Sequence, residues 1–194
     1  MKYIFQRGAW SDETLTHAYS WRFAETPAFL QENGYITNPR GTVDNTGYSY
    51  ISLMSREKYE PGAEITVHVA FEELAAPLLV LAKELEETDG VLRYGDYLEV
   101  VIWKNGLNVW DLWRQPDGTV KWVKLLGLTM PLETGKIHEL KLRTSAERFE
   151  ITLNGMPISL QVKQLYSSFH MGVTGCEGPC RIYDMEIEVP EVDK

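Results

Sequence analysis

Cysteines and long apolar runs are scarce in this chain of 194 residues. Its two cysteines cannot form a disulfide framework, so we expect free thiols in a reducing compartment. No segment approaches the ~18 apolar residues of a membrane span. The stretch Met1–Gly8 lacks the apolar run of a signal peptide. These absences predict a protein with no membrane partner that is cytoplasmic as written, or secreted if a leader has been removed.

Basic residues are also in deficit. The chain has 19 Lys and Arg against 28 Asp and Glu, a net charge of -9. Such a field repels phosphate backbones and anionic membranes, so the charge disfavours a nucleic-acid partner. The length predicts one domain spanning residues 1–194. The oligomeric state is left open.

Phenylalanine is sparse relative to the other aromatic residues: there are 6 Phe against 6 Trp and 10 Tyr. Tryptophan and tyrosine combine an apolar ring with a polar group, and they are enriched where a protein surface binds a partner. A core alone would be satisfied by Phe. The composition therefore favours a binding surface.

Alternation with a period of two dominates the sequence. The apolar rows are Ile65, Val67, Val69 and Phe71; Leu98, Val100 and Ile102; Phe149, Ile151 and Leu153; Phe169, Met171 and Val173; and Tyr183, Met185 and Ile187. Turn signals such as Asn105-Gly106 and Asn154-Gly155 separate the runs. This spacing predicts an all-β, two-sheet antiparallel jelly-roll sandwich.

One segment fits the alternation poorly. Residues 71–87 are rich in helix formers, but Pro77 would break a helix there. We predict a strand from about Leu78 to Leu85, with a short helix at 80–88 as the alternative.

The order of features carries a resemblance. The chain runs through Glu32–Ile36, Tyr59–Val67, Gly95–Ile102, Phe149–Gly155, Met171–Gly178 and Arg181–Ile187. This layout resembles the concanavalin A-like lectin/glucanase superfamily, and within it the 3-keto-disaccharide hydrolase-like domains. The resemblance implies a jelly roll that recognises a carbohydrate on its concave face, although this fold supports lectins, hydrolases and lyases alike.

The strand that corresponds to the catalytic strand of family 16 glucanases differs from it. Those enzymes carry E-x-D-x-E, whereas Asp96–Trp103 has Glu99 as its only glutamate. Double displacement needs two carboxyl groups about 5–5.5 Å apart. Ordinary retaining glucanase activity is therefore not expected from this strand.

The rows that alternate with the core rows hold the predicted ligand-binding residues. These are Tyr50, Tyr97, Trp103, Asn108, Trp110 and Arg114. Aromatic rings stack on the C–H faces of sugars, and polar side chains bind hydroxyl groups. The alternative is that Trp103 and Trp110 pair across a hairpin for stability.

Catalysis is the second functional reading. His68 and His170 lie on outward rows of strands that could be neighbours, and with Glu99 they form a candidate acid/base set for a glycoside- or keto-sugar-processing hydrolase or lyase. Glu177 is a reserve carboxylate. A third reading is an accessory or interaction subunit.

Cofactor signals are sparse, and no cofactor is certain. The resemblance implies a structural calcium ion, for which Gly34 and Asp184 are the matching positions. Cys176 and Cys180 bracket a turn, but a single C-x-x-x-C is weak support for a metal, and free thiols are expected.

Overall fold

The computed structural model describes residues 1–5, 12–39, 49–163 and 165–189. The first strands are β1 (Lys2–Ile4), β2 (Leu15–Ser20), β3 (Leu30–Glu32), β4 (Tyr35–Thr37), β5 (Ser49–Ser55), β6 (Glu64–Phe71), β7 (Leu78–Ala82), β8 (Glu86–Thr88) and β9 (Val91–Tyr94). The remaining strands are β10 (Tyr97–Trp103), β11 (Gly106–Arg114), β12 (Val120–Thr129), β13 (His138–Thr144), β14 (Arg148–Leu153), β15 (Met156–Gln161), β16 (His170–Glu177) and β17 (Cys180–Glu188).

These strands form two sheets. The eight-stranded sheet has the order β15-β14-β13-β6-β17-β4-β3, with β1 also paired to β17. The nine-stranded sheet has the order β12-β11-β10-β7-β16-β5-β2-β9-β8. All pairings are antiparallel except the short parallel pairing of β2 with β9. The predicted two-sheet antiparallel sandwich is confirmed.

The main core lies between the two sheets and uses the predicted apolar rows. Val67 and Val69 of β6, Val100 of β10, Ile151 of β14 and Met171 of β16 all belong to it. Alternation places these residues on one face of each strand, as a half-buried strand requires. Among the described residues, no helix is long and apolar enough to cross a membrane.

Two details of the core differ from the prediction. The register shifts between Ile182 and Asp184 of β17, so that Ile182 is fully buried and Tyr183 only half-buried. The extra residue of a bulge reverses which side chains face inward. The second is Trp113 of β11: the alternation predicts a core position for it, because it falls on a row that alternates with the polar one, but it is 38% exposed.

Residues 71–87 contain no helix. The strand β7 ends at Ala82, three residues before the predicted limit, and the next element is β8. The short helix considered for residues 80–88 is therefore wrong. Pro77 lies just before β7, and its carbonyl accepts a hydrogen bond from the Ile102 N–H.

A second apolar cluster covers part of the outer face of the nine-stranded sheet. It contains Ala18, Tyr50, Met54, Ala76, Leu78, Val80, Ala82, Tyr94, Tyr97, Leu112 and Cys176. Residues 21–29, which we call the strap, connect β2 of this sheet to β3 of the other sheet. Phe23 of the strap packs on the outer cluster, whereas Phe29 belongs to the main core. The strap thus packs against the outer face of the nine-stranded sheet through Phe23 and against the main core through Phe29.

Candidate functional site

A pocket of about 310 Å³ lies on the outer face of the nine-stranded sheet. It is lined by Arg22, Phe23, Tyr50, Ala76, Leu78, Glu99, Val101, Trp103, Asn108, Trp110, Trp122, Cys176 and Glu177. Five of the predicted ligand-binding and catalytic residues share this pocket, and so does the reserve carboxylate Glu177: the five are Tyr50, Glu99, Trp103, Asn108 and Trp110. The structure thus brings most of the predicted row together.

Four of these five residues lie on one face of the β10–β11 hairpin, which brings them close together. Glu99 lies directly opposite Trp110, and Asn108 lies opposite Val101. Trp103, however, lies opposite Gly106, so the alternative in which Trp103 and Trp110 form a cross-strand pair is wrong. The start of β11 requires glycine, because β12 approaches so closely that a Cβ at Gly106 would collide with the carbonyl oxygen of Leu128.

Glu99 is the central polar group of the pocket. It is only 5% exposed, and the Tyr50 hydroxyl donates a hydrogen bond of 2.8 Å to its Oε2. Burial raises the pKa of the Glu99 carboxyl to about 7, although the Tyr50 hydrogen bond and the charge of Arg22 act in the opposite direction. Glu99 can therefore exchange a proton near neutral pH.

Tyr50 reaches Glu99 from a distant strand. The strands β16 and β7 separate β5 from β10, a span of roughly 14 Å at ordinary strand spacing. The hydrogen bond between them therefore requires both side chains to extend toward each other across β7 and β16. A Cβ at Gly172 would meet the Leu53 carbonyl oxygen. Burial raises the pKa of Tyr50 well above its ordinary value, so its hydroxyl remains a donor.

The wall of the pocket is aromatic. Phe23 stacks on Tyr50 with a centroid separation of 4.3 Å and an interplanar angle of 17°. Lys124 Nζ lies 4.8 Å from the ring centroid of Trp110, on the side of the edge strand β12. Trp122, on the same strand, is 50% exposed and faces the pocket. Tryptophan side chains thus come from three consecutive strands of the sheet.

Asn108 and Glu177 provide further polar groups. Neither side chain makes a hydrogen bond or a salt bridge with another described residue. Asn108 has room because the facing residue is Gly127, where an added Cβ would lie 3.3 Å from Asn108 Oδ1. Glu177 has a φ of 66°, a strained conformation for a non-glycine residue, and burial raises the pKa of its carboxyl.

Tyr97 and Arg114 lie outside this pocket, contrary to expectation. Tyr97 is 0% exposed, and its hydroxyl hydrogen bonds to Ser20 Oγ at 2.9 Å, because β9 and its Tyr94 cover this end of the face. Arg114 instead stacks on Trp21, with its guanidinium 3.9 Å from the ring centroid, and approaches Glu86 at 3.4 Å.

The predicted set of His68, His170 and Glu99 is not assembled. His68 is on β6 of the eight-stranded sheet, so the strands of the two histidines are not neighbours. His170 shares the face of Glu99, but it lies two strands away and two residues along. Its Nδ1–H donates to the Ser55 carbonyl oxygen at 2.9 Å, and burial lowers its pKa. Neither histidine lines the pocket.

The predicted calcium position has a different arrangement. Asp184 Oδ1 lies 2.7 Å from His68 Nδ1, and Glu139 Oε2 lies 3.4 Å from His68 Nε2. Gly34, with a φ of 96°, occupies the β3–β4 turn. Calcium prefers oxygen ligands, so an ion at Asp184 would have to displace an imidazole contact. In the described part of the chain, no group of three or more His, Cys, Asp or Glu side chains is placed to hold a metal. Calcium binding stays a prediction.

The two cysteines are free and buried, as expected. Cys180 Sγ lies 3.9 Å from the Cys176 carbonyl oxygen. Burial raises the pKa of Cys180 to about 12, so this thiol is not a reactive thiolate at neutral pH.

Comparison of the whole chain with known proteins gives a consistent structural result. A carbohydrate-binding module, CBM66 from Bacillus subtilis, matches with a TM-score of 0.64 at 10% identity over 90% of this chain and 95% of that chain. LamA from Zobellia galactanivorans, in complex with laminaritriose and laminaritetraose, matches at 0.63 and 11% identity over 96% and 97%. A glycosyl hydrolase family protein from Mycobacterium fortuitum matches at 0.62 and 12% identity over 97% and 98%.

The fold is the concanavalin A-like jelly roll. Identities of 10–12% establish the fold and nothing finer. The sequence matches no family model, and no curated protein matches it. The closer similarity to 3-keto-disaccharide hydrolase-like domains stays a prediction. The fold alone therefore assigns no function to this chain.

Sequence reasoning missed Arg22, Phe23 and Trp122 as lining residues. Arg22 and Phe23 lie on the strap, which has no periodic pattern. The signal available for them was the run Trp21-Arg22-Phe23 directly after a strand. Trp122 was missed because β12 is an edge strand whose residues are exposed or only half-buried on both faces.

Proposed function

We propose that the pocket beside Glu99 binds a carbohydrate. The observation that carries the proposal is the convergence of Trp103, Trp110 and Trp122 with unpaired polar side chains in one cavity. Indole rings offer flat apolar faces to the C–H groups of sugar rings, and Asn108 offers both a donor and an acceptor to hydroxyl groups. The volume is at the small end of the range for ligand pockets, which suits one or two sugar rings.

The structural neighbours support the same proposal. They include a protein described as a carbohydrate-binding module and a protein in complex with laminaritriose and laminaritetraose. Binding sites recur at comparable places on a shared fold, but they vary in chemistry. The neighbours therefore support a saccharide as the ligand class, and the pocket residues support this particular location.

The test is binding of a glycan panel to the wild type and to tryptophan variants. Trp103 and Trp113 are each 38% exposed, but only Trp103 lines the pocket. We expect Trp103→Ala and Trp110→Ala to weaken binding about tenfold or more, and Trp113→Ala to bind as the wild type does. Circular dichroism checks that each variant is folded. Wild-type affinity in both pocket variants, or no binding to any glycan, would contradict the proposal.

Hydrolysis is a second candidate, favoured by the protonation behaviour of Glu99. A buried carboxyl with a pKa of about 7 can act as a general acid near neutral pH. Glu177 lines the same pocket, and glycosidases generally use two carboxyl groups. In this hydrolase candidate the catalytic pair is thus Glu99 and Glu177, and the two histidines have no catalytic role.

Turnover separates the two candidates. We expect Glu99→Gln to reduce release of reducing sugar about 100-fold or more while the affinity for the glycan is largely kept. Tyr94→Phe is a control for the buried hydroxyl groups beneath the pocket, because its hydroxyl bonds to Ser52 rather than to Glu99. Glycan binding without any product in the wild type would reject hydrolysis and leave carbohydrate recognition in place.

A further inference from the structure

Arg22 is the only cationic side chain among the described residues that line the pocket. Its guanidinium carbon lies 4.5 Å from the ring centroid of Trp122 and 5.0 Å from that of Phe23. It makes no salt bridge and donates no side-chain hydrogen bond to another described residue. The rings contact the guanidinium without satisfying any of its five N–H donors.

The other stacked arginines of the described chain provide an internal comparison. Arg93 lies over Trp21 and pairs with Glu25, and Arg114 lies over the same ring and pairs with Glu86. Arg181 lies over Tyr35 and approaches Glu72 at 3.7 Å. Each of these guanidinium groups combines an aromatic ring with a carboxylate. Arg22 has the rings, but it forms no salt bridge with a described carboxylate, and the Glu99 carboxyl acts on it only through a longer-range charge interaction.

We propose that the pocket selects an acidic saccharide, whose carboxylate or sulfate group binds the guanidinium of Arg22. This inference rests on the proposed carbohydrate-binding function and names the substrate class of that site. The planar fork of arginine matches a carboxylate in a bidentate geometry, and its rings hold it in place before the ligand arrives. The saccharide ring would contact the tryptophan wall, and its anionic group would replace the carboxylate that Arg22 lacks.

The charges around the pocket are compatible with an anion. The groups that interact electrostatically with Glu99 are Arg22, Tyr50, Tyr94, Tyr97 and Cys176. Burial raises the pKa of the three tyrosines and the thiol, so they are neutral at pH 7. Two carboxyl groups, Glu99 and Glu177, line the pocket, and Lys124 adds a second cation beside Trp110. Protonation of Glu99 removes one of the two negative charges. The affinity for an acidic saccharide should therefore rise as the pH falls through about 7.

The experiment uses matched pairs of oligosaccharides that contain uronic acids, each as the free acid and as the methyl ester. Esterification removes the charge and keeps the ring. Sulfated galactan oligosaccharides and neutral glycans complete the panel. We expect the wild type to bind a free acid at least tenfold more tightly than its ester at pH 6, with a smaller ratio in high salt. Tight binding of the sulfated oligosaccharides alone would identify sulfate, rather than carboxylate, as the anionic group that the pocket recognises.

Two variants test the role of Arg22. Arg22→Gln is expected to reduce the affinity for the acid at least tenfold and to leave the affinity for the ester within about twofold. Arg181→Gln removes another arginine that lies over an aromatic ring, outside the pocket, and should change neither affinity. Equal binding of acids and esters, or preference for neutral glycans, would overturn this inference and leave carbohydrate recognition standing. Binding to no saccharide of any class would overturn the proposed function itself.

Discussion

The outer faces of the two sheets follow the same alternation but have opposite chemistry. On the eight-stranded sheet the polar side chains pair with one another. Lys141 Nζ lies 2.8 Å from Glu64 Oε1, and His68 contacts both Asp184 and Glu139. Ion pairs between neighbouring strands thus cover part of this face.

On the nine-stranded sheet the corresponding face is aromatic. Its buried hydroxyl groups bond to one another, as Ser52 does to Tyr94, but several polar side chains that line the pocket are unpaired. Glu99 has one hydrogen-bond donor, and the side chains of Asn108, Glu177 and Arg22 form no hydrogen bond or salt bridge with another described residue. Asn108 is half-buried, and Arg22 and Glu177 are exposed, so these unpaired groups cost little stability and are open to a ligand. The comparison teaches that ligand binding is to be sought where polar groups are unpaired, rather than where they are most numerous.

Glu99→Gln should have the largest effect on the pH dependence of stability. The folded-state pKa of Glu99 is about 7 against an ordinary value of 4.5, so the folded protein keeps a proton that the unfolded chain has released. Its contribution is complete below pH 4.5 and is lost as the pH rises through 7, a change of roughly 3 kcal/mol in the free energy of unfolding. Urea denaturation from pH 4 to 8 should show this fall in the wild type and not in the variant.

The matched control is Glu139→Gln on the other face. Glu139 is half-exposed and contacts His68 at 3.4 Å, so its loss should change the free energy of unfolding by about 1 kcal/mol or less. It should keep the pH dependence of the wild type. A Glu99→Gln variant with that same pH dependence would show that Glu99 does not titrate abnormally.

Tyr50→Phe should have a smaller effect that depends on pH. Above pH 7 the variant leaves an ionised, buried Glu99 without its donor, at a cost of about 1.5–3 kcal/mol. At pH 5 Glu99 is protonated and the hydrogen bond is weaker, so the loss should be about 1 kcal/mol. A double-mutant cycle with Glu99→Gln measures the coupling. An equal loss at both pH values would mean that Tyr50 acts through packing alone.

Lys141→Gln should have the smallest effect. Its salt bridge with Glu64 is partly solvent-exposed, and such pairs contribute about 0–1 kcal/mol. Denaturation in low and high salt should show that even this difference shrinks with ionic strength. A loss as large as that of Tyr50→Phe would remove the energetic contrast between the two faces.

The sequence predicted what depends on short-range order. The alternation fixed which residues of β6, β10 and β14 enter the core, and Asn105-Gly106 correctly indicated the hairpin that joins β10 to β11. Because a hairpin pairs neighbours in sequence, Glu99, Trp103, Asn108 and Trp110 were correctly placed on one face. These four residues are most of the predicted part of the pocket.

The predictions that failed depend on contacts between residues far apart in the sequence. The alternation predicts correctly that His68 and His170 lie on the outer faces of their strands, but these strands belong to different sheets. Strand order in a jelly roll is set by crossover connections, which a period of two does not encode. Tyr97 also lies on the outer face, as predicted, but Tyr94 of β9 packs on it and it is fully buried. Arg22 lies in an irregular connection, where no periodicity predicts a direction.

The strap has a consequence for engineering and for evolutionary change. It supplies Arg22 and Phe23 to the pocket, yet it is a connection between sheets rather than a member of either ladder. Connections tolerate substitution and insertion better than paired strands do. Replacing residues 22–25 while keeping the anchor Phe29 is thus a route to new ligand preferences, and a library confined to this one segment can be screened without rebuilding the sandwich.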